Sequence, residues 1–175
     1  MKVRIAHIVI VCLAGLTFSI KGNSQTASEY EVKAVFIYNF TQFVQWPESS
    51  FDPSQEAFVI GVLGDNVFGN ALEEAVAGEK YESRPIVVKY FATTKEIGNC
   101  QVLYVGNSTN AAKAVSDRPI LTVGEHPDFM QHKGLLRFYE EGNKLRIEIN
   151  QSAASASGLA ISSKLLRLAT IYNSK

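Results

Sequence analysis

From Glu29 onward the chain alternates between two kinds of hydrophobic pattern. Between Glu29 and Trp46 the apolar positions Ala34, Ile37, Phe40 and Val44 recur every three or four residues, the period of an amphipathic helix. Ser28 can cap this helix, and Glu29 and Glu31 suit the positive end of its dipole. Phe36, Phe40 and Phe43 form a second, overlapping stripe, so the helix is expected to be covered on more than one side. Pro47 ends it and holds Trp46 extended. Ala57–Leu63 is instead a near-continuous apolar run, the mark of a strand buried on both faces. It closes in Gly64-Asp65-Asn66, and a short helix is predicted over Val67–Ala77.

The alternation continues. Pro85–Phe91, Gln101–Val105 and Pro119–Val123 read as strands, with a helical turn over Thr94–Ile97 and a helix over Asn110–Ser116 between them. Leu135–Glu140 and Lys144–Ile149 flank Glu141-Gly142-Asn143 and predict a hairpin. Ala153–Tyr172 is predicted as a final helical stretch, weakened near Gly158, with Leu165, Leu168, Ala169 and Tyr172 on its core face. Strands alternating with helices imply one α/β domain with a mostly parallel sheet. The expected fold is a single three-layer α/β/α, Rossmann-like domain with the antiparallel hairpin at one edge.

The first 24 residues stand apart from this pattern. Met1-Lys2-Val3-Arg4 is basic, Ile8–Phe18 is an eleven-residue apolar run, and small and polar residues follow. That is the pattern of a secretory signal peptide; a membrane-spanning helix needs roughly 20 apolar residues. Cleavage is expected near Ser24, leaving residues 25–175 as a periplasmic domain. The leader takes Lys2, Arg4 and Lys21 with it and no acidic residue. The full chain balances 17 basic against 17 acidic residues, so the mature chain carries a formal charge of −3. Nothing in that balance attracts a polyanion, and no nucleic-acid partner is expected. Of the two cysteines only Cys100 remains, which excludes an intrachain disulfide. Its apolar successors, Val102-Leu103-Tyr104-Val105, place it at the start of a buried strand.

Few residues suggest chemistry. Gly64 and Gly69 have the spacing of the two P-loop glycines, but Asn70-Ala71 replace the lysine and hydroxyl that handle phosphate and metal. A tight turn in which Asp65 or Asn66 caps the helix accounts for them. Glu125, His126, Asp128 and His132 are ligand types for a divalent cation, but Pro127 breaks their spacing and surface polarity around a turn explains them. No serine lies in a nucleophile elbow. No catalytic residue, metal or cofactor is therefore expected, and the protein is read as a non-enzyme. Asp65, Asn107 and Glu125 follow three strands and would share the carboxyl edge of a parallel sheet, where ligands bind in such folds. Arg84, before Pro85, is a further candidate because a guanidinium can hold a carboxylate.

Several segments together resemble one family. Glu29-Tyr30-Glu31-Val32-Lys33-Ala34, Phe36-Ile37-Tyr38-Asn39-Phe40 and Trp46-Pro47 resemble the start of the YfiR family of exported bacterial proteins. So do Ile60–Asp65 with Phe68-Gly69, Arg84-Pro85-Ile86, Cys100–Val105, Leu121–Gly124, Ile147–Asn150 with Ala153-Ala154, and Gly158–Leu166. The resemblance runs from about Glu29 to Ala169. It implies a periplasmic, non-enzymatic regulator that dimerises and acts on a membrane-bound signalling protein. The best-known member represses a diguanylate cyclase, the enzyme that makes cyclic di-GMP; relatives stand beside other receptors, including sensor kinases. The two disulfides of that member have no counterpart here.

Two functions remain open from the sequence. The protein is an interaction module for a membrane signalling partner, with Phe36, Phe40, Phe43 and Trp46 as candidate interface residues of a homodimer or a partner complex. Alternatively it is a small-ligand sensor with a pocket near Asp65, Asn107 and Glu125, with Arg84 or another base facing in. For export itself, mass analysis of the native protein should give an N-terminus within a few residues of Gln25; an intact Met1 in the membrane fraction contradicts the signal-peptide reading.

Overall fold

A computed structural model describes residues 23–51 and 56–173, with side chains from Glu29 onward. The expected signal segment lies almost wholly outside the described residues. Helix α1 spans Asn23–Phe40, starting before the expected cap at Ser28, because no Gly or Pro interrupts the chain from Asn23 to Phe40. It also stops earlier than Trp46. Turns at Thr41, Gln42 and Phe43 unwind it, and Val44–Gln45 form strand β1 instead. A β-branched residue at 44 with a strand partner available outweighs the helical period. That partner is β9, Ala160–Ile161, paired antiparallel with Val44 opposite Ile161.

The main sheet has eight strands in the order β10-β8-β7-β6-β5-β2-β4-β3. In chain order they are β2 (Phe58–Leu63), β3 (Lys80–Tyr81), β4 (Arg84–Phe91), β5 (Val102–Gly106), β6 (Leu121–Gly124), β7 (Leu136–Glu141), β8 (Lys144–Ile149) and β10 (Thr170–Ile171). Strands β4, β2, β5, β6 and β7 run parallel, and β10 is parallel to β8. β3–β4 and the β7–β8 hairpin are antiparallel. The mixed α/β class and the mostly parallel sheet thus agree with the hydrophobic pattern. The hairpin turns at Gly142 and Asn143, both with φ of 57°, the pair of positive angles that a tight two-residue hairpin turn requires. It lies one strand in from the rim, because β10 pairs beyond it.

Burial follows the pleat. Phe58, Ile60 and Val62 of β2, with Val102 and Tyr104 of β5, join the core cluster that receives Ala34, Ile37 and Phe40 of α1 and Leu72 and Val76 of α2 (Ala71–Val76). Val59, Leu103 and Val105 face the opposite side, with Ala111 and Ala112 of α3 (Thr109–Ala114) and Phe129 and Met130. Phe129 fits because two glycines face it: a Cβ on Gly134 or Gly124 would come within 2.3 or 2.7 Å of its ring.

The final helical stretch is four short elements. Helix α4 (Gln151–Ala156), capped by the Asn150 side chain on the Ala153 amide, ends at Gly158 with φ of 80°; β9, helix α5 (Ser163–Leu166) and β10 follow. Leu168, placed by its spacing on a core face, is 75% exposed because the chain leaves the helix before reaching it. At the other end of the sheet Gln101, fully buried, accepts from the Val59 amide and donates to the Ser50 carbonyl, and its own carbonyl receives the Trp46 indole.

Cys100 sits beside it, 4% exposed, with burial pushing its thiol up to about 12 despite the charges of Arg118 and Lys89. A thiol reagent should therefore label Cys100 slowly in the native state and quickly in denaturant. Rapid native labelling contradicts this placement.

Candidate functional site

Helix α1 crosses the sheet from its carboxyl edge, where Tyr30 and Lys33 lie, to its amino edge, where the chain after it places Trp46 against Gln101. Lys33 is four residues before Ile37 and so falls in the buried stripe; it is only 2% exposed. A charge that deep needs partners. Its Nζ donates to Glu125 Oε1 at 2.8 Å and lies 2.6 Å from Glu29 Oε1, while the Tyr30 ring stands 4.5 Å below it. The same Glu125 oxygen accepts the Tyr104 hydroxyl at 2.5 Å. Glu125 is set in place by the end of β6, where its amide donates to the Gly106 carbonyl at 2.8 Å.

The electrostatics favour fixed protons. Burial by itself would lower the pKa of the Lys33 amine, but its hydrogen bonds to Glu125 and Glu29, and their charges, outweigh it and hold the amine above its ordinary value. Tyr104 is pushed up by burial first and by Glu125 second, so its phenol stays a donor. An ammonium and a phenol held protonated are poor nucleophiles and poor bases at neutral pH. Around them the rings of Tyr30, Phe68 and Tyr104 form an edge-to-face chain, with centroids 5.5 and 4.8 Å apart. The cluster is a polar clamp closed by aromatic packing.

The residues singled out from the sequence separate into two groups. Asp65, Asn107 and Glu125 do follow β2, β5 and β6 along one edge. Only Glu125 enters the clamp; Asp65 and Asn107 are exposed. The turn after β2 is held by Asn66, whose side chain accepts from the Phe68 amide and donates to the Gly69 carbonyl, rather than by a cap on α2. Arg84 begins β4 and therefore lies at the opposite, amino edge, where it pairs with Glu82 at 3.3 Å and stacks 4.3 Å over Phe51. The base that faces inward near Glu125 is Lys33, whose position four residues before Ile37 was the available signal.

Of the aromatic candidates, Phe40 and Trp46 lie inside the chain's own core at 1% and 7% exposure, and Phe36 and Phe43 are half-buried against it. Phe138 of β7 covers much of the second stripe, meeting Phe36 edge-on at 6.1 Å and stacking on Phe40 at 5.9 Å. Near the carboxyl edge, His126 Nδ1 accepts from the Asp128 amide and Asp128 from the Gln131 side chain, local bonds of one turn. Among the described residues no group of three or more His, Cys, Asp and Glu is placed to hold a metal ion, and no helix is long and apolar enough to cross a membrane. A cleft of about 380 Å³ opens beside the clamp, between Tyr30 and Glu31 of α1 and Phe68 and Glu74.

Comparison with known families matches residues 30–170 to the one described as YfiR/HmsC-like. No curated protein matches the chain.

The clamp yields a stability test. The raised Lys33 pKa contributes stability that is complete below the ordinary value of 10.5 and is lost as pH rises through the folded-state value. Lys33→Met should lower unfolding free energy at pH 7 by about 1–3 kcal/mol. It should also flatten the loss of stability expected of the parent as pH rises above the ordinary lysine value of 10.5. Denaturant titrations of both proteins check it; equal stability at pH 7 contradicts the clamp.

Proposed function

The chain belongs to the YfiR/HmsC-like family, and from that premise we propose that it is an exported, non-enzymatic regulatory protein that engages the periplasmic part of a membrane-bound signalling protein. The family match over residues 30–170 is the observation that carries this reading. Support comes from the carboxyl edge, where Lys33, Glu125 and Tyr104 spend their hydrogen bonds on one another. A diguanylate cyclase or a sensor kinase is the proposed partner class. The same reading keeps the leader before Gln25 as a cleaved signal. It also keeps the three-layer, Rossmann-like arrangement, supported by core clusters on opposite faces of β2 and β5.

The cleft beside Tyr30 and Phe68 favours a second reading, a small-ligand sensor, in which occupancy tunes the same partner. Its aromatic floor and the carboxylates Glu31 and Glu74 suit a small organic cation.

The test begins from the neighbouring genes, where this reading expects a membrane-bound cyclase or sensor kinase to be encoded. Solubilised envelopes should yield the two proteins together, and deletion of this chain should change the partner's output, cyclic di-GMP level or phosphorylation, by twofold or more, on the order expected when a bound regulator is removed. Restoration should require the exported chain and fail with one lacking its leader. No co-purification together with unchanged output contradicts the proposal.

A further inference from the structure

The face that α1 and α2 present together carries one sign of charge. Between Gln25 and Glu79 the sequence holds a single Lys, Arg or His, which is Lys33, and the clamp buries that ammonium between Glu29 and Glu125. The next bases lie elsewhere. Lys80 is on β3, past the end of α2, and Lys89 shares the parity of Val87, which packs on the opposite side of the sheet. Several carboxylates of the face are engaged: Glu73 takes the Tyr90 hydroxyl, and Glu79 takes the Tyr38 hydroxyl at 2.6 Å. Glu31 of α1 and Glu74 of α2 are not. Both are exposed, and among the described residues neither side chain makes a hydrogen bond or an ion pair. They line the cleft that Tyr30 and Phe68 floor, together with Ala71 and with Val67, which is 40% exposed. The walls of this cleft run side by side. Tyr30 meets Phe68 before α2 begins and Tyr38 reaches Glu79 after it ends, so about 12 Å of α1, roughly two turns, flanks α2. Val35, one turn beyond Glu31, and Val32 extend the apolar strip over the outer side of α1.

We propose that the groove between α1 and α2 holds the membrane partner, through a helical segment of its periplasmic part that carries Lys or Arg among aliphatic residues. This inference rests on the regulatory reading above and adds to it the surface used and the chemistry of what docks there. An aliphatic side chain of such a helix fills the cleft against Phe68 and Val67. A basic one, a turn away, reaches Glu31 and Glu74, as when an amphipathic helix lies in a groove. The two unpaired carboxylates select the sign of the occupant. A second copy of the chain is disfavoured on this face, because twofold pairing would set Glu31 and Glu74 against the same carboxylates. An anionic lipid surface is repelled for the same reason. Behind the groove, the bonds of Lys33 and Tyr104 to Glu125 fix α1 on the sheet, so the surface is formed before the partner arrives.

Co-purification from solubilised envelopes, with the parent chain as reference, tests the groove. Glu31→Lys combined with Glu74→Lys should reduce capture of the partner by about tenfold or more, with unchanged far-ultraviolet circular dichroism. Asp117→Lys combined with Glu140→Lys makes the same change of charge at exposed positions away from the groove and should capture as the parent does. Glu, placed one at a time at the Lys and Arg positions of the partner's periplasmic helices, should release the parent at one of them and restore capture by the Glu31→Lys, Glu74→Lys chain. If that chain fails to fold, Glu31→Gln combined with Glu74→Gln keeps the shape and should still weaken capture severalfold. A parent that captures no partner overturns the regulatory reading and this inference with it. A parent that captures the partner, beside a folded double variant that captures it equally, overturns the docking surface alone. A double variant whose own mass in sedimentation differs from the parent's shows a second copy on this face and also overturns the proposal.

Discussion

One buried charge governs the carboxyl edge of this protein. Lys33 occupies a position on α1 that the helical period assigns to the core, and the ammonium there is tolerable only with carboxylates against it. Glu125 supplies the deeper one from the end of β6, and Tyr104 completes its oxygen from the neighbouring strand. The clamp thereby joins α1 to β5 and β6, elements about seventy to ninety residues away in sequence, and Trp46 with Gln101 joins the far end of the same segment. In many open α/β sheets this edge is free to bind a ligand. Here its central groups are bound to one another, which is a reason to seek function at surfaces rather than in a reacting pocket.

That view is consistent with the family to which the chain belongs and with the sheet's own margins. The interior strands β2, β5 and β6 are covered on both faces, so what the molecule offers to others lies at rims and outer helix faces. Half of β4 is such a rim. The outward side of α1 carries Val32 and Val35, 44% and 50% exposed, while its aromatic residues turn inward.

The parts of the fold legible in the sequence are those set by local pattern. β2 and β5 announce themselves as apolar runs, and the β7–β8 turn by Gly142-Asn143. The parts missed depend on distant partners. β1 became a strand because β9 lies beside it, more than a hundred residues later, and no window around Val44 contains that fact. β10 was hidden in a helical period through Leu165, Leu168 and Tyr172 that the chain does not use. At the site, Glu125 was identifiable from its place after a strand. Arg84 was not correctly joined to it, because strand direction puts the start of β4 at the other edge. Lys33 passed as one residue of a family motif, although a lone lysine in register with Ile37 is itself a demand for a buried carboxylate.

The central claim is that Lys33 and Glu125 act as one unit. A double-mutant cycle of Lys33→Met and Glu125→Leu, read by denaturant unfolding at neutral pH, measures that unit directly. The structure calls for a coupling energy of about 1–3 kcal/mol, with the double variant more stable than the two single losses added together. Additive losses, with no coupling beyond about 0.3–0.5 kcal/mol, contradict it.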